Sequence, residues 1–304
     1  MGLFKAFVIL WFLIVSNNLL SQTYNTGHTK FSLIDTGRAN RTIPVEIYYP
    51  ADSSGDNVPL SAAELKFPVL CFGHGYLMSW DSYAYLREAL VGQGYIVAFP
   101  DTEGELFPSH QDLAKDISFV LRKISEYGND SRTIFFNRVL NKNCAMGHSM
   151  GGGSAVLAAE YDSTITALAA LAPADTRPSS IKAAAFVTIP ALIISGGNDC
   201  ITKPESHQIP IYKGLQSISK ILLTIRGASH CQMADKSFTC NLAEMTCGPE
   251  PSITREQQQL IILKYLVPWL NFYLKEDSVS AKRISSMIGC DTSVVMESLP
   301  VSIF

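Results

Sequence analysis

Short apolar runs alternate with stretches of helical periodicity from about residue 42 to residue 277. The runs are 42–50 (TIPVEIYYP), Val69 to Phe72, 95–104 (YIVAFPDTEG), the VLNKNCAMGH stretch before Ser149, 164–175, 189–199 (IPALIISGGND) and 219–230 (SKILLTIRGASH). Glycine, proline or aspartate bounds most of them, as expected for strands buried on both faces. Between them, 80–95 and Met150 to Tyr161 carry helical spacing. Residues 109–128 predict an amphipathic helix, with apolar positions at 113, 117, 120, 121 and 124. A last long helix is expected over 252–277, bent at Pro268. The alternation implies an α/β domain with a mostly parallel central sheet covered by helices on both faces. No internal repeat or low-complexity linker interrupts it. The tail, 278–304, receives no assignment.

The N-terminus follows a different pattern. Lys5 precedes an unbroken apolar run, Ala6 to Val15, which Asn17 and Asn18 then interrupt. A membrane span needs about 20 apolar residues, so a cleaved leader over 1–22 fits better than an anchor. The catalytic domain is then expected over 23–277, with no stable membrane span in the mature protein. That places it outside the cytoplasm, secreted or periplasmic, where disulfides form. The chain of 304 residues is 47% hydrophobic with a formal net charge of -3. No basic run suggests nucleic acid as a partner. A monomer is expected.

Gly147-His148-Ser149-Met150-Gly151 lies where a strand ends and a helix begins. It matches G-x-S-x-G, the tight turn that lifts a nucleophilic serine above the sheet of an α/β-hydrolase. Side chains two residues either side of the serine would collide, which accounts for both glycines. A serine nucleophile needs a base, and in this fold the order along the chain is Ser, then Asp or Glu, then His. Of six histidines, His207 and His230 follow Ser149 at the right places. His230 is preferred because it follows the last strand, at the carboxyl end of the sheet. His207 reads as a solvent-facing residue at a helix start. The orienting carboxylate is Asp199, at the end of ALIISGGND, or Asp175, which otherwise reads as a loop or capping acid. Two backbone donors must hold the oxyanion: the N–H of Met150, and one from the GHGY turn, for which Tyr76 is chosen. No metal or cofactor is expected.

These segments carry a resemblance. GHSMGGGSAVLAA, APAD, IPALIISGGNDCITKP, PIYKGL and GASHCQMA resemble the bacterial cutinase and polyester-hydrolase branch of the dienelactone-hydrolase-like α/β-hydrolases, over about residues 40 to 275. The resemblance implies a serine carboxylester hydrolase that acts on a small or polymeric ester. It places the triad on Ser149, Asp199 and His230, the oxyanion donors on Tyr76 and Met150, and the substrate pocket on Tyr76, Ala174 and Ile201. The chain departs from it in one respect. Polyester hydrolases carry Pro-Trp where this chain has Pro173-Ala174, which removes a ring that packs against aromatic acyl groups. FGHGYLMSWDSYAYL is also similar to chlorophyllase-type and platelet-activating-factor-acetylhydrolase-like esterases. A serine amidase or peptidase is the nearer alternative, and a non-catalytic binding protein the more distant one.

There are seven cysteines. Cys71 and Cys144 lie in strand-like runs and read as buried thiols. The resemblance implies a disulfide between the Asp199 and His230 loops, hence Cys200–Cys231. Cys240–Cys247 is the next expected pair, with Cys290 left over. Cys247–Cys290 is the competitor.

Overall fold

The computed structural model describes residues 24–287 and 289–298; the expected leader lies outside them. Ten strands form one sheet: β1 (Asn25–Asp35), β2 (Arg41–Ala51), β3 (Gly55–Asp56), β4 (Phe67–Gly73), β5 (Ile96–Pro100), β6 (Val139–His148), β7 (Ala167–Leu171), β8 (Ala191–Gly196), β9 (Lys220–Ile225) and β10 (Val294–Ser298). Their spatial order is β10-β9-β8-β7-β6-β4-β5-β2-β1-β3. From β5 through β4, β6, β7 and β8 to β9 every neighbouring pair is parallel. Antiparallel pairs flank this block, β2 on β5 and β10 on β9.

The helices are α1 (Ala84–Gly92), α2 (His110–Tyr127), α3 (Met150–Tyr161), α4 (Ser180–Ala183), α5 (Gln208–Gly214), α6 (Phe238–Glu244), α7 (Arg255–Lys275) and α8 (Ser278–Met287). Period-two alternation in the central strands divides the core in two. Phe67, Val69 and Cys71 of β4 pack with α2 and α3. Leu70 and Phe72, between them, pack with α1 and α7 on the opposite face. Both faces are therefore covered, and these strands read as continuous apolar runs for that reason.

Local signals set the helix ends. Ser109 caps α2 by accepting from Asp112 N–H at 3.2 Å. Thr254 and Gln257 form a reciprocal capping box at the start of α7. That helix continues unbroken through Pro268. A buried charge cluster ties the β1–β2 hairpin to α2. Asp116 accepts from Arg38 at 2.5 Å and Arg41 at 2.8 Å, and Arg41 also meets Glu103.

The tail joins the same sheet. It folds as α8 and then β10, and Val294 to Ser298 pair along β9. Among the described residues, no helix is long and apolar enough to cross a membrane.

Candidate active site

β6 runs into Ser149, and α3 begins at the next residue. Ser149 has φ 55° and ψ -118°, a region that L-residues avoid and that functional turns over-determine. The surroundings supply that constraint. A Cβ on Gly147 would lie 2.3 Å from the carbonyl of Gly151, and one on Gly151 would lie 2.0 Å from Gly73 O. The turn can therefore close only with glycine at both places, and it closes against the end of β4. Ser149 O accepts from Ala174 N–H at 2.9 Å, which fixes the turn from the other side.

Asp199 follows β8, and His230 follows β9, both at the carboxyl end of the parallel block. Their side chains meet, with His230 Nδ1 2.8 Å from Asp199 Oδ2. Both residues are buried. The other carboxylate oxygen of Asp199 accepts backbone N–H groups from Ile201 at 2.9 Å and Thr202 at 2.8 Å. The hydroxyl of Thr202 lies 3.0 Å from both Asp199 Oδ2 and His230 Nδ1. Fully buried Gln208 supports it in turn, donating to Thr202 Oγ1 at 3.0 Å, Thr202 O at 2.8 Å and Pro173 O at 2.9 Å. Ser195 donates to Gln208 Oε1 at 3.1 Å. Four donors thus surround the buried carboxylate.

A cavity of about 270 Å³ opens over these groups. Ser149, His230, His148, Tyr76, Met78 and Ile201 line it, together with Thr239, Cys240 and Ala243 from α6. Tyr76 is exposed at the rim, its hydroxyl donating to Leu106 O at 2.8 Å. Among the described residues, Tyr76 N–H donates to no protein group. Met150 opens α3, where N–H groups have no intrahelical acceptor. Ala174 does not line this cavity. It is bound to the Ser149 turn through its N–H, and its carbonyl accepts from Ser180 Oγ at 2.8 Å. The expectation that Ala174 lines the pocket is therefore not met in this cavity.

The remaining histidines have other work. His148 is fully buried, 3.0 Å from the Tyr83 hydroxyl, with its ring 4.7 Å from that of His230. Burial, and then the neighbouring His230, push its pKa well below the ordinary value, so it stays neutral. His74 bridges the carbonyls of Gly75 and Thr102 at 2.8 Å each. His207 is half-buried instead of facing solvent, and its Nδ1 accepts Asp175 N–H at 2.9 Å. Asp175 itself accepts from Ser179 Oγ at 2.7 Å and Ile181 N–H at 3.2 Å, as a loop acid would. Among the described residues, no group of three or more His, Cys, Asp or Glu side chains could hold a metal ion.

The disulfides differ from the expected pairs. Cys200 is bonded to Cys247 and Cys231 to Cys240, while Cys71, Cys144 and Cys290 are free. Neither Cys200–Cys231 nor Cys240–Cys247 forms. The reason is the 238–248 segment, which passes over both loops and brings one cysteine to each. It packs so closely that a Cβ on Gly248 would lie 2.4 Å from Cys200 Cβ. The acid and base loops are therefore joined through α6, not directly. In the chain-entropy view, closing loops of 47 and 9 residues contributes roughly 4 and 2.5 kcal/mol.

A parallel sheet of this order, with a serine on a strained turn after a central strand and an acid–histidine pair on later loops, is an α/β-hydrolase. The family model described as PET hydrolase-like matches residues 35–283, and the chain belongs to that family. It is similar to Cutinase est2 of Thermobifida alba, 26% identical over 234 residues, covering 76% of this chain and 64% of that protein. Cutinase 1 of Thermobifida cellulosilytica is 26% identical over 233 residues, 76% of this chain and 74% of that one. A bis(hydroxyethyl) terephthalate hydrolase of Streptomyces coelicolor is 26% identical over 225 residues, 72% of this chain and 61% of that one. The chain thus spans a little under two thirds of the length of the first and last of these relatives.

Proposed function

We propose that this protein is a serine carboxylester hydrolase of the cutinase and polyester-hydrolase type. The observation that carries the reading is that His230, paired with Asp199 at 2.8 Å, lines one cavity with Ser149 on its strained turn. Ser149 Oγ attacks the ester carbonyl while His230 takes its proton. His230 then gives that proton to the leaving alcohol. Asp199 fixes the imidazole through Nδ1 and offsets the charge it gains. The N–H groups of Met150 and Tyr76 hold the oxyanion. Water, deprotonated by His230, releases the acid from the acyl-enzyme. The chemistry calls for no metal or cofactor.

The mostly apolar cavity suits an aliphatic chain on the ester. With a methyl group at Ala174, aromatic polyesters are expected to be poorer substrates than aliphatic esters. The apolar run at Ala6 to Val15 and the two disulfides support action outside the cytoplasm.

The test is chemical. Ser149→Ala is expected to lower turnover of a short-chain p-nitrophenyl ester by about a million-fold, with the circular dichroism spectrum retained. A fluorophosphonate probe should label Ser149 alone. Substantial activity in the alanine variant, or labelling elsewhere, overturns the assignment.

A further inference from the structure

We infer that α6 is a disulfide-tethered cover whose inner face sets how long a chain the ester may carry; the inference rests on the hydrolase reading above. The helix spans Phe238–Glu244, and none of its residues is buried. Phe238 and Leu242 on it, and Met245 just past it, are largely exposed. Burial of apolar surface therefore does little to hold it. The described contacts at its base are polar or covalent. Cys240 is bonded to Cys231, and Cys247, three residues past the helix, to Cys200. The Glu244 carboxylate accepts from Ser229 Oγ at 2.9 Å and Cys231 N–H at 3.1 Å. Asn241 Oδ1 accepts from Arg255 at 3.2 Å.

Space lies on both sides of the helix. Thr239, Cys240 and Ala243, spaced to share one face, line the cavity that holds Ser149 and His230. Asn241, Glu244 and Met245, on the other side, line a second cavity of about 360 Å³. A thin wall with room behind it can be displaced, and segments with little buried apolar surface open at low cost. The tethers keep it in place, and each starts one residue past a member of the acid–base pair. The cover thus limits the ester arm that runs from Ser149 toward Thr239 and Ala243.

The experiment compares long and short esters in two series, one varying the acyl chain and the other the alcohol. Each pairs a four-carbon with a ten-carbon arm, read as the ratio of kcat/KM. Ala243→Phe fills the cavity under α6 and should lower the long-to-short ratio about tenfold in one series, which identifies the arm that lies there. The Cys240→Ser/Cys247→Ser variant frees the cover and should raise the same ratio by about fivefold. Should the cysteine variant fail to fold, Ala243→Phe decides alone. Ratios within about twofold of the parent in both series for Ala243→Phe overturn the inference. Absence of Ser149 labelling in the parent protein overturns the hydrolase reading, and this inference with it.

Discussion

The floor and the roof of the cavity are built on opposite principles. The floor is the Ser149 turn, where backbone meets backbone and a single added carbon has no room. The roof is α6, with no buried residue and open space on both sides. Close packing makes the floor rigid, so the serine can hold φ 55° without a flexible side chain to absorb the strain. Covalent tethers make the roof present but not packed. Reaction geometry needs the first kind of structure, and selection among substrates tolerates the second.

Substitution of one carbon on each side breaks or sustains that contrast. Gly151→Ala drives a Cβ to within 2.0 Å of Gly73 O and 2.6 Å of His74 O, both backbone atoms that cannot swing away. A cost of about 3 kcal/mol is expected, seen as a melting temperature lowered by several degrees or as loss of soluble protein. Ala243→Gly in the roof should shift stability by about 1 kcal/mol at most, the helix-propensity difference alone. Equal melting temperatures for Gly151→Ala and the parent would show that the floor yields more than its packing implies.

Between floor and roof lies the Asp199–His230 pair, held by residues that only the structure revealed. Thr202→Val removes a hydroxyl 3.0 Å from both the carboxylate and the imidazole while keeping the shape. A hydrogen bond to a charged group contributes about 1.5 kcal/mol, so its loss during the reaction corresponds to about a tenfold fall in kcat. KM should change little, because Thr202 does not line the cavity. A lowered melting temperature with kcat unaffected would make Thr202 a structural residue and not a positioning one.

What could be read from the sequence divides along the same line. Ser149, Asp199 and His230 follow a local grammar, each at the end of an apolar run, and the structure brings the last two within 2.8 Å. The strand at 42–50 and the helix at 109–128 were equally legible, because their periodicity is strong. β1 is not legible in the sequence: in NTGHTKFSLID the buried positions are Gly27, Thr29 and Leu33, so the stretch reads as polar chain. Gln208 gave no signal, since a glutamine at a helix start ordinarily faces water. Thr202 offered a faint one, three residues after an aspartate whose oxygen accepts its N–H, the spacing of a capping turn. The cysteine pairing depended on where 238–248 runs, and no periodicity in that stretch fixes its path.

The tail gives a small effect and the last comparison, since it too is an added layer beyond the parallel block. Besides its strand pairing and the buried Ala281, Ile284 and Val294, it is anchored by one carboxylate. Asp291 accepts from Lys264 Nζ at 2.6 Å and the Tyr265 hydroxyl at 2.9 Å on α7, and from Ser293 N–H at 2.9 Å ahead of β10. Burial pushes the Asp291 pKa up, but Lys264, Ser293 and Tyr265 together outweigh it and hold the carboxyl well below the usual range. A folded-state value lower than the unfolded one adds stability above the unfolded value, near 3.8, and loses it as pH falls toward the folded value. Asp291→Asn should therefore cost about 1 kcal/mol near neutral pH, discounted for the half-exposed lysine. The difference between variant and parent should shrink as pH drops below about 4. Hydrogen exchange reads it locally: the amides pairing β10 with β9 should exchange faster in the variant, while those of β6 and β8 stay protected. Faster exchange spread through the central strands would mean that the tail is part of the core's cooperative unit and not an added layer.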